Sequence, residues 1–228
     1  MKHFRFTIIT ALAMLLTCSV TAHAAAPAKK ATKKVTNTMG KNAPTAGCAV
    51  TNAKAIDMGL PSGTLWADRN VGAEAPEAYG GLYRYGNKGN MGGKGCPKEN
   101  ISGTKLDVAT IKMGKNWRMP TAAEITELWE NCTHEFDVVK NQPGFRLRGP
   151  NGNCIFLPLT GLMYNYGRSQ AGQCAFYQTG EITDSWMYQV GFEAVTLNLW
   201  QQDDDTFKCQ IGSESPGSGC PIRAVYVK

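Results

Sequence analysis

The feature that most constrains the fold is a helix with a fixed start and one apolar face, in the segment GKNWRMPTAAEITELWENC at residues 114–132. Thr121 and Glu124 form the T-x-x-E pattern of a capping box, in which each side chain accepts a hydrogen bond from the other residue's backbone N–H. The apolar residues that follow are spaced i, i+3, i+4 and i+7 and share one face of the helix: Ile125, Leu128, Trp129 and Cys132. We therefore predict that this face packs against the core.

The residues next to the cap also have structural explanations. Pro120 disfavours a helical conformation in the residue before it, so the chain must turn sharply at this point. Trp117 is predicted to be a core residue. Glu124 and Glu127 lie in the first turns of the helix, where a carboxylate interacts favourably with the positive end of the helix dipole. We interpret the segment as a strand-to-helix corner, and this interpretation argues against a catalytic role.

The rest of the domain has the pattern of short strands separated by turns. Asp107 can cap a short helix at Val108–Met113, which Gly114 would end. The sequence Gly-Pro-Asn-Gly at residues 149–152 favours a hairpin turn. The predicted strands cover residues 55–58, 64–67, 136–139, 145–148, 154–157, 173–177, 187–190, 194–200, 207–211 and 222–227. Two short helices packed on a curled, mainly antiparallel sheet define the α+β class.

Residues 1–24 have the composition of a secretory signal peptide. Two basic residues precede the apolar run at residues 6–16, and Ala-His-Ala at 22–24 provides a small-residue cleavage site. The run is too short for a membrane-spanning helix. Cys18 lies roughly where a bacterial lipoprotein would carry its acylated cysteine, so a lipid anchor there is the alternative to cleavage at 22–24. Either route implies export, to the periplasm, the cell surface or the medium.

Residues 25–47 are predicted to form a flexible tether. They contain five lysines, no acidic residue and no aromatic residue, and so offer too little apolar surface for a core. Residues 1–47 hold seven of the 24 Lys and Arg and none of the 18 Asp and Glu, which leaves 17 basic against 18 acidic residues beyond them. The net charge of +6 therefore belongs to the signal peptide and tether, and it does not indicate a nucleic-acid groove on the single domain at 48–228.

The cysteines are consistent with an exported domain. Seven follow the signal peptide, so at least one must stay unpaired within the chain. We predict a cystine between Cys209 and Cys220, because they flank IGSESPGSG on what should be neighbouring antiparallel strands, and a second between Cys132 and Cys154. There is no C-x-x-C pair, and we predict neither a metal site nor a cofactor.

Three other segments of the sequence resemble functional motifs but lack residues that those motifs require. The glycine-rich run GNKGNMGGKG at residues 86–95 lacks the G-x-x-x-x-G-K-[ST] order of a phosphate-binding loop, so we interpret it as a surface loop. His134, the one histidine beyond the signal peptide, lies near Cys132 but has no third group to orient it as a catalytic base. The run Asp203-Asp204-Asp205 is expected to be a solvated hairpin loop.

Three phrases of the sequence resemble a known family. AIDMGLPSGTLWADRNVGAEAPEAYGG, GKNWRMPTAAEITELWENCT and GFRLRGPNGNCIFLPLTG are similar, in this order, to exported Bacteroidetes and Fibrobacter proteins with the Fibrobacter succinogenes major paralogous domain. The resemblance covers residues 55–161 and implies a C-type lectin-like fold. Most members of that family have no assigned biochemical function, and the last third of this chain departs from them.

The same resemblance brings an enzymatic alternative and excludes one kind of ligand site. RMPTAAE is also similar to a phrase of the formylglycine-generating sulfatase-modifying domains, in which a cysteine pair near the C-terminus is catalytic; Cys209 or Cys220, followed by Arg223, would take that place. Sugar-binding lectins of this fold hold calcium through Glu-Pro-Asn or Gln-Pro-Asp. Here Gln142-Pro143-Gly144 and Gly149-Pro150-Asn151 lack the required carboxylate.

Aromatic residues in the last third are the predicted binding residues, because Tyr and Trp combine a large contact area with a polar group. They are Tyr164, Tyr166, Tyr177, Trp186 and Tyr188. We predict a cell-envelope binding or adhesion module that recognises a surface glycan, another polymer or a protein through residues 161–191, without catalysis. The alternatives are a sulfatase-modifying-like cysteine oxidase and a structural envelope component.

The processing site gives a first testable prediction. We expect the mature chain to begin near Ala25, because the Ala-His-Ala signal lies directly before it. Intact-mass measurement of the exported protein checks this start. A species that begins at Cys18 and carries fatty acids would contradict it and establish the lipoprotein route.

Overall fold

The computed structural model describes residues 53–164, 167–201 and 206–228, all within one compact unit, Thr45–Lys228. The predicted signal peptide, Cys18, the tether, Cys48, Tyr166 and Asp203-Asp204-Asp205 lie outside these ranges. Within them, the chain forms a short 3-10 helix (Tyr85–Asn87), α1 (Val108–Met113) and α2 (Ala122–Asn131). None of these helices is long and apolar enough to cross a membrane.

Short antiparallel strands make up most of the described residues. In chain order they are β1 (Ala55–Asp57), β2 (Leu65–Ala67), β3 (Trp117–Arg118), β4 (Thr133–Val139), β5 (Gln142–Arg148), β6 (Cys154–Pro158), β7 (Leu162–Tyr164), β8 (Gly167–Ser169), β9 (Cys174–Asp184), β10 (Phe192–Gln201), β11 (Phe207–Glu214) and β12 (Val225–Tyr226). They form sheets in the orders β1-β2-β12-β3, β11-β10-β9 and β4-β5-β6, and the hairpin β7-β8. The domain is therefore α+β, as the sequence predicts.

The start of α2 has the predicted capping box. The Thr121 hydroxyl accepts a hydrogen bond from Glu124 N, and the Glu124 carboxylate accepts one from Thr121 N at 2.9 Å. Arg118 at the end of β3 donates two hydrogen bonds to the same carboxylate, at 2.5 and 2.7 Å. Glu127 accepts from Ser62 N at 2.9 Å and so ties the turn after β1 to the helix. Glu124 therefore has the capping role predicted from the sequence, and Glu127 has a structural role through Ser62 that the sequence did not predict.

Side chains from α2 and three of the sheets meet in one buried cluster. The helix contributes Ile125 and Leu128, and its last apolar residue, Cys132, is also buried. A second buried cluster forms around α1 and the strand β3, where Trp117 is 6% exposed and Met119 is fully buried. Trp117 is thus a core residue, as predicted.

A buried arginine connects the elements around these clusters. Arg223, which is 1% exposed, donates hydrogen bonds to the carbonyls of Ala67 and Phe156 at 3.1 and 2.6 Å, and to Asn70 Oδ1 at 2.9 Å. The Asn70 amide in turn donates to the Tyr177 hydroxyl at 3.4 Å. Burial lowers the pKa of Arg223, but an arginine side chain stays charged in a protein. The interactions of this cation therefore join β2, β6, β9 and the residues just before β12.

The sheet β11-β10-β9 has one face in the core and one polar face. Tyr177, Leu197 and Leu199 belong to the first buried cluster. Because side chains alternate along a strand, Phe176 and Gln178 of β9 and Asn198 of β10 lie on the opposite face. The sheet thus provides a rigid support whose second face is polar.

The last third differs most from the predicted strand pattern. Residues 187–190, predicted as a strand, instead form the bend between β9 and β10. Strand β9 continues to Asp184, seven residues beyond its predicted end. The hairpin β7-β8 is not predicted, since its strands have three residues each. The polar residues Gln178 and Thr179 are buried in the middle of β9, and their polarity obscures its length in the sequence.

The capping box and its arginine give a second prediction. Thr121→Ala should lower the free energy of unfolding by about 1 kcal/mol, because one N–H at the helix start loses its acceptor. Glu124→Ala should cost more, about 2 kcal/mol, because it also leaves Arg118 without its carboxylate. Chemical denaturation measures both values. Glu130→Ala is the matched control on the exposed side of α2, and it should change the value by less than about 0.5 kcal/mol.

The ion pair of Arg118 and Glu124 predicts that stability depends on pH. Burial acts to raise the pKa of Glu124, but the hydrogen bonds from Arg118 and Thr121 outweigh it and lower the pKa below its ordinary value. The carboxylate therefore contributes its full stability above the unfolded-state pKa of about 4.3, and this contribution disappears as the pH falls through the lower folded-state pKa. The difference in Tm between the wild type and Glu124→Gln should shrink below about pH 4. A difference that is constant from pH 7 to pH 3 would contradict this role.

Candidate binding surface

A cavity of about 690 Å³ lies between the glycine-rich turn and the bend that joins β9 to β10. We call it the groove. Its lining consists of Arg84, residues 89–92, Lys94, Gln189 and Val190. The volume is within the range of about 300–1,000 Å³ that small-molecule sites occupy, and its walls come from two segments that are distant in sequence.

One wall is a tight turn organised by Asn90. The Asn90 side-chain oxygen accepts hydrogen bonds from Gly92 N and Lys94 N, both at 3.1 Å, and Asn90 N donates to the carbonyl of Lys94 at 3.0 Å. An added Cβ on Gly93 would lie 2.8 Å from the Pro216 side chain, so the close packing requires glycine there. These N–H groups are already paired within the turn, and the turn is therefore not a backbone cradle for phosphate.

The opposite wall is held by a buried carboxylate. Glu193, which is 9% exposed, accepts hydrogen bonds from the Ser185 hydroxyl at 2.6 Å and from the Ser213 hydroxyl. The Ser185 hydroxyl also accepts a hydrogen bond from Met187 N at 3.1 Å. Glu193 thus links the bend to β10 and β11, and it fixes the side of the groove formed by Gln189 and Val190.

The two segments that line the groove also carry exposed apolar side chains. Trp186 is 94% exposed, Met187 is 68% exposed and Met91 is 51% exposed. Large apolar groups that are exposed in this number beside a cavity are typical of an interaction site. Met91 lines the groove itself, whereas Trp186 and Met187 lie in the bend just before its lining residues Gln189 and Val190.

One wall of the groove carries positive charge although the domain is nearly neutral. Residues 84–98 contain Arg84, Lys88, Lys94 and Lys98 and no acidic residue. Arg84 and Lys94 line the groove, and Arg84 is fixed by a hydrogen bond of 3.0 Å from its Nε to the carbonyl of Gly217. Fixed cations beside a concave surface attract anionic groups.

Two of the predicted tyrosines lie near the half-buried carboxylate of Glu214. Burial raises the pKa of Tyr164 to about 12, and the charges of Glu214 and Tyr188 act in the same direction. Burial also raises the pKa of Tyr188, again with a contribution from Glu214. Both hydroxyls therefore stay protonated near neutral pH and can donate hydrogen bonds.

The predicted binding residues have different positions in the structure. Trp186 and Tyr188 lie in the bend that forms one wall of the groove, and Tyr164 at the end of β7 is 47% exposed. Tyr177 is a correction: it is fully buried in the first cluster, where its hydroxyl donates to the carbonyl of Pro158 at 2.8 Å. Its position on the core face of β9 gives it a structural role.

Sequence reasoning missed the other side of the groove. Arg84, Lys94 and Gln189 line it, but none was among the predicted site residues. The available signal was the run of four basic residues without an acidic residue at 84–98. The charge balance over the whole domain, which is close to zero, concealed this local excess.

The predicted cystines are absent from the structure. All six cysteines in the described ranges are free thiols: Cys96, Cys132, Cys154, Cys174, Cys209 and Cys220. Cys209 pairs with Leu199 of β10, whereas Cys220 forms an isolated bridge with Tyr83, so the two are not on neighbouring strands. Cys132 precedes β4 and Cys154 begins β6, and β5 lies between these strands.

The thiols are poorly suited to nucleophilic chemistry near neutral pH. Burial raises the pKa values of Cys96, Cys132, Cys174 and Cys209 to about 11. Burial raises the pKa of Cys220 well above its ordinary value as well. The thiolate is the reactive form, and these five residues are therefore overwhelmingly protonated thiols.

His134 and the acidic residues do not form a recognisable catalytic or metal centre within the described ranges. The His134 ring stacks on Trp129 with 4.0 Å between the ring centres, which gives it a packing role. The described residues contain no group of three or more His, Cys, Asp or Glu arranged to hold a metal ion.

Comparisons of this chain with protein-family models, with curated proteins and with solved structures found no match.

The positions of the cysteines give a third prediction. Digestion of the unreduced protein with trypsin should release residues 209–223 as one peptide, and a glutamate-specific protease should then cut it after Glu214. Because Cys209 and Cys220 are apart in the fold, the two fragments should separate without reductant in a mass spectrum. A linked pair that separates only after reduction would contradict the structure.

Proposed function

We propose that this protein is an exported cell-envelope binding or adhesion module that recognises a surface polymer non-covalently through the groove. We also propose that its domain belongs to the Fibrobacter succinogenes major paralogous family and has a C-type lectin-like fold. The α+β architecture, and the loops carried on the sheet β11-β10-β9 in the last third, support this assignment. A protein ligand is the second possibility within the same function.

The observation that carries the proposal is the groove together with the exposed Trp186 in the bend that forms one of its walls. This region combines a cavity with a volume of about 690 Å³ and a tryptophan that is 94% exposed. An exposed aromatic side chain has an unfavourable contact with water, and binding removes it at a small cost in conformational entropy. A protein with a purely structural role would not need a cavity beside an exposed tryptophan. The combination therefore favours a ligand-binding function.

The charges of the groove favour a polymer with anionic groups. Arg84 presents a fixed guanidinium and Lys94 an ammonium group on the same wall. A carboxylate, sulfate or phosphate of the polymer would pair with Lys94 and be attracted by the positive charge of Arg84, while Trp186 would pack against the polymer's apolar surface. Such binding should weaken as salt screens the charges.

The cysteine-oxidase alternative receives less support. Catalysis by a cysteine pair requires two thiols within reach of each other and at least one that ionises readily. Cys209 and Cys220 lie on non-neighbouring segments, and burial raises the pKa of each. We therefore propose binding without catalysis.

The fourth prediction tests the groove with polygalacturonate as a carboxylated polymer and dextran as a neutral one. Mature protein should bind polygalacturonate in a calorimetric titration, and the affinity should fall as sodium chloride is raised from 50 to 500 mM, since ion pairs contribute. Trp186→Ala and Lys94→Ala should each weaken binding by about 1 to 3 kcal/mol with little change in Tm.

Lys112→Ala is the matched control, because Lys112 is an exposed lysine on α1 outside the groove. It should leave the affinity unchanged. The proposal fails if polygalacturonate does not bind, or if binding is equally strong in the Trp186 and Lys94 variants. Turnover of a cysteine-containing peptide that is lost in Cys209→Ser or Cys220→Ser would instead establish the enzymatic alternative.

A further inference from the structure

A second, smaller cavity lies at the other end of the sheet β11-β10-β9. Its volume is about 300 Å³, and it is lined by Gln170, Gln173, Cys174, Phe176, Asn198, Trp200 and Gln201. We call it the amide cleft. It shares no lining residue with the groove, because its residues come from the start of β9 and the end of β10, whereas the groove lies beside the bend at the opposite ends of these strands.

The chemistry of the amide cleft differs from that of the groove. The side-chain amides of Gln170, Gln173 and Asn198 provide hydrogen-bond donors and acceptors without a formal charge, and Phe176 and Trp200 provide ring surface. Of the described residues that line the cleft, none is acidic or basic. Lys208 lies beside the cleft, with its ammonium 5.4 Å from the centre of the Trp200 ring. The cleft is therefore suited to a neutral ligand with many hydroxyl groups and an apolar face.

The backbone around the cleft holds these side chains in place. The carbonyl of Gln170 accepts hydrogen bonds from Gln173 N and Cys174 N at 3.0 and 3.3 Å, so this segment is a closed turn. Gln201 N donates to the carbonyl of Gln173 at 2.9 Å and ties the turn to the end of β10. A preformed site loses less entropy on binding than a flexible one.

Asn198 is already oriented within the cleft. Its Oδ1 accepts a hydrogen bond of 2.6 Å from the Thr196 hydroxyl, which fixes the amide plane. Gln178, on the same face of β9 as Phe176, is fully buried, and neither of its amide atoms has a partner among the described residues. Buried polar groups without protein partners normally bind water, so this face of the sheet is polar beyond the cleft itself.

We propose that the amide cleft is a binding site for one neutral sugar ring of a polysaccharide. The side-chain amides would exchange hydrogen bonds with the ring hydroxyls, and Phe176 and Trp200 would cover the apolar C–H face of the ring. A volume of about 300 Å³ accommodates a single ring and its substituents. The site is distinct from the groove and does not depend on the polymer proposed there.

The test uses three neutral oligosaccharides, cellohexaose, xylohexaose and mannohexaose, titrated into mature protein. At least one should bind saturably, with a dissociation constant on the order of 1 mM or lower. Trp200→Ala should weaken this binding about tenfold or more, and Gln173→Ala, an exposed position, should weaken it severalfold. Trp200→Phe should retain part of the affinity because an aromatic ring is preserved.

The controls separate this site from the groove and from loss of folding. Trp186→Ala should leave oligosaccharide binding unchanged, and the Tm of each variant shows whether it is folded. The proposal is overturned if none of the three sugars saturates at concentrations up to about 10 mM. It is also overturned if both Gln173→Ala and a folded Trp200 variant bind as tightly as the wild type, or if Trp186→Ala removes the binding.

Discussion

The structure depends on a buried cation that forms no ion pair with a carboxylate of the described residues. Arg223 is fully enclosed, and its hydrogen bonds go to two backbone carbonyls and the Asn70 side chain. A buried charge is costly unless its donors are satisfied, so each acceptor must come to a defined position. Those acceptors belong to β2, to the segment after it and to β6. The arginine thus fixes the relative placement of two sheets more specifically than apolar packing, which tolerates substitution and small shifts.

This rigid centre explains how a nearly neutral domain can carry two chemically different surfaces. Strands β9 and β10 have Tyr177 and Leu197 in the core and a polar face opposite. The groove lies beside the bend that joins them, where Glu193 holds the wall, and the amide cleft lies at their other ends. One wall of the groove carries Arg84 and Lys94, whereas the described residues that line the amide cleft are uncharged. Because the same strands support both, the spacing between the two sites is set by strand length.

The elements best predicted from sequence are those whose signals are local. The capping box of Thr121 and Glu124 and the Asp107 cap depend on residues within one helical turn, and both helices begin where predicted. The groove depends on contacts between residues 84–94 and 189–190, which no local pattern reveals. The bend at 187–190 resembles a strand in composition, and its conformation is set by Ser185 and Glu193. The prediction that Cys209 and Cys220 lie on neighbouring strands is wrong for the same reason. It depends on the order of the strands in the sheets, which no local pattern reveals.

The buried arginine also constrains how the chain can reach this fold. Arg223 bonds to residues 156 and 153 positions earlier in the chain, and β12 pairs with β2 at a similar separation. Closing such long loops costs entropy before any contact repays it, so folding should be slow compared with that of a helical domain of this size. While these contacts are unmade, the edges of β2 and β3 lack their shared neighbour. Until Arg223 and β12 reach their partners, the chain therefore has an incomplete core and unpaired strand edges, which make it prone to aggregation.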